Sequence, residues 1–185
     1  MTMREMGAPV DQKIIDRAIK YLTDSLPNTE DNLQKVEIFL TLAKAGKGKD
    51  VYNKYYSQLD ITPNLNLHEK ITYLDALVST DAKLYSYQIQ QLIIKIQKEF
   101  RNPNNSDGYY WYWNTDSDKA NFVDILMRLN YERATVLSFI QELSERDYDS
   151  YFVSTQVKNS VFMSFLRYMQ TYTNNQKQSV QFTLQ

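Results

Sequence analysis

Four carboxylates and five consecutive aromatic rings are the residues whose types and spacing point most directly to chemistry. Asp116, Asp118, Asp147 and Asp149 fall in two short polar runs, and Tyr109, Tyr110, Trp111, Tyr112 and Trp113 stand just ahead of the first run. A pair of carboxyl groups with separated pKa values can serve as acid and base on a glycosidic bond. An Asp just ahead of a helix, however, ordinarily caps it, because its side chain accepts from orphan N–H groups and its charge suits the helix dipole. Capping is therefore the preferred reading of these acids. The aromatic rings have the shape to stack on sugars or bases. As a plug at the end of a helix pair, the same rings would remove a large apolar area from water, and this is the favoured reading. Strict alternation along the run leaves Tyr110 and Tyr112 outward, as a surface for a partner.

Other chemistries are closed by what the chain lacks. It has no cysteine, so disulfides, thiolate metal sites and a cysteine nucleophile are excluded. His68 is its sole histidine, which removes the ordinary Ser-His-Asp triad and any histidine-rich metal site. The "KAGKGK" run at 44–49 lacks the preceding strand and the Ser or Thr after its lysine that a phosphate loop requires. The sequence thus carries no enzyme signal and implies no cofactor or metal.

The elements that must position these residues read as helices. "DQKIIDRAIKYLTDSL" places Ile14, Ile15, Ala18, Ile19 and Leu22 on one face, and Pro27 stops it. Thr29 to Asp31 supply caps for a helix over about 31–45 carrying Leu33, Val36, Phe39, Leu40 and Ala43, with a glycine stop in "GKGK". A short helix over about 50–59 turns Val51, Tyr55 and Leu59 inward. Asn66 with Glu69 forms a capping box for a helix bearing Ile71, Leu74 and Leu77. A longer helix over 82–100 carries Leu84, Ile89, Leu92, Ile93, Ile96 and Phe100. "RNPNNSDG" reads as a loop, and helices follow near 117–130, 132–144 and 155–172. In the tail, Val180, Phe182 and Leu184 alternate with polar residues at the period of a strand. The fold class is all-α: helical hairpins of the α/α-toroid type, about eight helices forming a partial toroid, with a short extended C-terminal tail. The richer apolar faces of the helices starting near 31, 67, 117 and 155 predict two layers, with alternate helices inside.

The bulk properties agree with one ordinary domain. A length of 185 residues, with 43% hydrophobic and 14% aromatic residues, suits a globular chain. The balance of 21 basic against 22 acidic residues favours neither nucleic acid nor an anionic membrane. Apolar runs such as "LII" at 92–94 are far too short to insert into a membrane, and "MTMREMGAPV" has no export-signal core. Residues 1–9 read as a disordered or vector-derived lead, 10–173 as the helical segment and 174–185 as the tail.

A second copy of the aromatic pattern appears after a shift of 39 positions. Tyr112 falls on Tyr151, Trp113 on Phe152, Thr115 on Ser154, Lys119 on Lys158 and Arg128 on Arg167. Phe122, Val123, Leu126 and Met127 fall on Val161, Phe162, Phe165 and Leu166. An aromatic turn followed by a helix, used twice at such a period, is how a helical repeat is built. Trp111, Trp113, Tyr151, Phe152, Ser154, Thr155 and Gln156 are therefore first of all structural.

The second copy, "YFVSTQVKNSVFMSFLRYMQTY", resembles the thioester-containing helical domain of the bacterial alpha-2-macroglobulin family. Phe152, Ser154, Thr155 and Gln156 match its aromatic, small, Ser-Thr-Gln pattern. Phe152 stands where tryptophan is typical, Val153 replaces a glycine and Val157 an acidic residue. Trp113 ahead of Lys119 and Ala120, and "IFLTLAKAGK", are similar to other turns of that domain. The resemblance spans about 10–173 and implies a piece of a broad-spectrum endopeptidase inhibitor. Such proteins trap a protease that cuts their bait segment, and an internal thioester then acylates a lysine of the attacker. The helical domain shields or presents that thioester. The family implies a lipoprotein parent facing the periplasm, with proteases as targets and β-domains of the same chain as neighbours. Its Cys-x-x-Gln motif is absent here, so either the motif lies upstream in the parent or the parent has no thioester.

The resemblance also implies that the chain returns to a β-domain after the last helix, along "QSVQFTLQ". If earlier helices are missing, the faces over 11–24 and 31–45 lose neighbours, and weak self-association is expected. Two other functions stay open on the residues alone: a stand-alone helical-repeat protein-binding module, and an (α/α) toroid enzyme. The plug reading makes a direct prediction. Trp113→Ala should cost roughly 3–5 kcal/mol in urea melts, as other large-to-small core changes do, and Tyr110→Ala much less. Small, equal losses would instead mark a surface patch.

Overall fold

The computed structural model describes residues 11–56, 64–101, 111–148 and 153–172, and the side chains of all of these except 111–114. Among the described residues there are eight α-helices and no strand, so the chain is all-α. The helices are α1 (Gln12–Ser25), α2 (Asn32–Lys44), α3 (Gly48–Val51), α4 (Leu67–Asp81), α5 (Ser86–Arg101), α6 (Trp111–Arg128), α7 (Arg133–Ser144) and α8 (Thr155–Tyr172). They fall into two compact units, residues 1–103 and 104–185.

Local chemistry sets the helix ends. The Asp11 carboxylate accepts from the Lys13 amide at 2.9 Å, and Asp31 from that of Gln34 at 2.7 Å, capping α1 and α2. At α4 the capping box is complete: Asn66 Oδ1 accepts from the Glu69 amide at 3.0 Å, and Glu69 Oε2 from the Asn66 amide at 2.8 Å. Pro27 lies in a 3-10 turn that ends α1. Gly46, with φ of +79°, closes α2: its amide donates to Ala43 and that of Lys47 to Leu42. Asn130, with φ of +49°, closes α6 in the same way, through Asn130 to Met127 and Tyr131 to Leu126. These are Schellman stops, and the left-handed residue each needs is supplied once by Gly and once by Asn.

In the first unit α2 packs along α4, with α3 beside both and α5 against α4. Val36, Phe39, Leu42, Leu74, Leu77, Ile93 and Ile96 are fully buried there. In the second unit α6 packs along α8 and against α7. Phe122, Val123, Leu126, Val136 and Leu143 form its fully buried set. In each unit, then, helices two apart in the chain are the main partners.

Three apolar positions depart from the sequence reading. Tyr55 is only half-buried, and Tyr56 takes the inward place at 5% exposure. The cause is a π turn over Tyr52–Tyr56, whose wider pitch puts the fifth residue after Val51, rather than the fourth, on the same face. Leu84 is exposed because α5 begins only at Ser86, and Tyr85 in the preceding turn is buried instead. Phe162, expected to match buried Val123, is 58% exposed. Leu59 and the tail lie outside the described residues.

α1 is amphipathic but peripheral. Ile15, Ile19 and Leu22 are half-buried, Ile14 and Tyr21 exposed, and no residue of the helix is fully buried.

Gly48 shows how closely α3 approaches α4. A Cβ placed on it would overlap Thr80 Oγ1 and lie 2.9 Å from Thr80 Cβ and Cγ2. The Thr80 hydroxyl cannot swing away freely, since it donates to the Ala76 carbonyl at 2.7 Å. Gly48→Ala should therefore destabilise the chain by about 1–3 kcal/mol, as overpacking does. Adding Thr80→Ala removes two of the three clashing atoms and should restore part of the loss in denaturant melts. No loss in the single variant would contradict this close approach.

Candidate functional site

Helix α6 carries the densest set of buried polar groups among the described residues. Thr115, Asp116, Asp118 and Lys119 are each less than 9% exposed, and all four sit within the helix rather than ahead of it. This corrects the capping assignment of Asp116 and Asp118. The helix starts at Trp111, so Trp111, Tyr112 and Trp113 are its first residues and not a turn before it. No Gly or Pro interrupts 111–128, and Asp116 finds tertiary partners instead of a cap position.

Asp116 is held from the segment just after α7. Its Oδ2 accepts from the Tyr148 hydroxyl at 3.3 Å, and its Oδ1 lies 3.3 Å from Arg146 Nε, an ion pair without hydrogen-bond alignment. Burial raises the Tyr148 pKa above the usual tyrosine value; the Asp116 charge and its acceptance of the phenol proton act the same way, and Arg146 opposes them. Tyr148 also packs, with Val153 and Phe165, on the apolar cluster of Ala120, Leu143, Val157 and Val161.

The remaining polar groups brace α6 against its neighbours. Lys119 Nζ meets Glu142 Oε2 of α7 at 2.6 Å. Asp124 pairs with Arg167 of α8 and with Arg128 one turn along its own helix. Ser117 and Ser160 share a hydroxyl hydrogen bond of 3.2 Å between α6 and α8. Separations of 23 to 43 residues put the pairs between helices beyond any local sequence pattern. Arg146, Tyr148 and Glu142 have no local pattern that marks their partners.

Among the described carboxylates, Asp116 and Asp118 do not converge as an acid–base pair. Two residues apart at about 100° per residue, Asp116 and Asp118 leave α6 on nearly opposite sides. Asp147 is exposed, and Asp149 lies outside the described residues. No group of three or more His, Asp or Glu side chains suited to a metal ion occurs among the described residues.

The residues that carry the family resemblance are differently placed. Ser154 caps α8: its hydroxyl accepts from the Val157 amide at 3.3 Å and its carbonyl from the Lys158 amide at 3.1 Å. Ser154, Thr155 and Gln156 are exposed. Tyr109, Tyr110, Tyr151 and Phe152 lie outside the described residues, as do the side chains of Trp111, Tyr112 and Trp113. His68 is exposed in the first turn of α4. No helix of the described residues is long and apolar enough to cross a membrane. No protein-family model, curated protein or solved structure matches the chain.

The site therefore reads as a brace that fixes α7 and α8 on α6, and Tyr148 supplies a pH test of it. A tyrosine whose folded-state pKa is raised contributes stability that is complete below the ordinary value of about 10 and is lost as pH rises through the folded value. Thermal melts between about pH 8 and about pH 11 should fall in alkaline solution. The fall should be shallower in Tyr148→Phe. Identical slopes for the two proteins would contradict the buried contact with Asp116.

Proposed function

We propose that the chain is a segment of the helical domain of a bacterial alpha-2-macroglobulin-like protease trap, a non-enzymatic piece of a broad-spectrum endopeptidase inhibitor. The observation that carries this reading is the repeated use of one design. The sequence pattern recurs at a shift of 39, and in each unit a helix packs along the helix two further on. Alternate helices in contact are what an α/α toroid requires of its inner layer, and the Ser154-Thr155-Gln156 run stands at the head of one of them. In this reading the Cys-x-x-Gln motif lies elsewhere in the parent or is missing from it. The parent works in the periplasm, where its targets are proteases and its neighbours are β-domains.

The surrounding reading frame tests the assignment. An export signal with a lipidated cysteine, flanking β-domains and an upstream Cys-x-x-Gln are the expected findings. A short, complete frame without them would overturn it in favour of a stand-alone protein-binding module.

Two solution experiments follow. An acyl transfer needs an activated acyl group, and without cysteine no Cys–Gln thioester can form. Mass spectrometry after incubation with methylamine, or with a protease, should show no covalent adduct; an added amine mass would refute this. The exposed face of α1, with Ile14 54% and Tyr21 72% exposed, is the surface from which weak self-association is expected. Light scattering over a concentration series should show the mean mass rising, and Ile14→Glu should suppress the rise. A strictly monomeric wild-type chain would remove α1 as an association surface.

A further inference from the structure

We draw no further inference here: the strongest candidate, the apolar stripe that Phe162, Met163, Leu166 and Met169 form along one face of α8, carries nothing because no feature of the structure shows what covers it.

Discussion

Phe39 meets Tyr56 in a stacked contact at 4.8 Å and lies 5.8 Å from Tyr73, and these two tyrosines are 5.9 Å apart. The three rings come from α2, the π turn and α4, so one contact ties together three segments of the first unit. Phe39 is fully buried, and the Tyr56 hydroxyl donates to the Lys35 carbonyl at 3.1 Å, which satisfies its polar end. Tyr52 extends the group toward the start of α5, with its ring 4.4 Å from that of Tyr85. Around this joint the salt bridges are peripheral. Lys44 with Asp75 links α2 and α4 from a largely solvated lysine, where such a pair is worth little, and Lys70 with Glu99 links α4 and α5.

The second unit answers the same packing problem with polar chemistry. α6 is buried over most of its circumference, yet four of its buried side chains are polar or charged. Burying such groups costs free energy unless they are paired. The pairing of Lys119 with Glu142 therefore constrains α7, and that of Asp116 with Arg146 and Tyr148 the segment after it; half-buried Asp124 and Ser117 link α6 to α8, and Phe122 packs edge-on against Phe139.

Much of the fold was legible because it is set locally. Asp31 and the Asn66–Glu69 box are side chains acting within three residues of themselves, and Gly46 supplies a backbone angle that other residues rarely adopt. The helical period found the buried faces of α2, α4 and α5. What it missed has physical reasons. A π turn is invisible to a 3.6-residue period, so Tyr55 and Tyr56 exchange places. Pairings such as Asp116 with Tyr148 depend on where distant helices come to rest. Phe162 shows that a sequence repeat can persist where the burial does not. Trp111, Tyr112 and Trp113 open a helix, because aromatic residues are tolerated in helices when nothing interrupts them.

The wide turn between Val51 and Tyr56 bears on which changes of chain length this protein can absorb. In an ordinary α-helix the fourth residue after Val51 would share its face. A version of the chain one residue shorter at this point would therefore keep a tyrosine in the same place with a normal turn. The extra residue is accommodated as a local widening, and neither Phe39 nor Tyr73 has to move. A further insertion would have no such refuge, since it would swing the ring about 100° around the axis and out of the core. The segment can thus lose one residue without disturbing the core, but cannot gain another, in a chain whose other helices must keep their register.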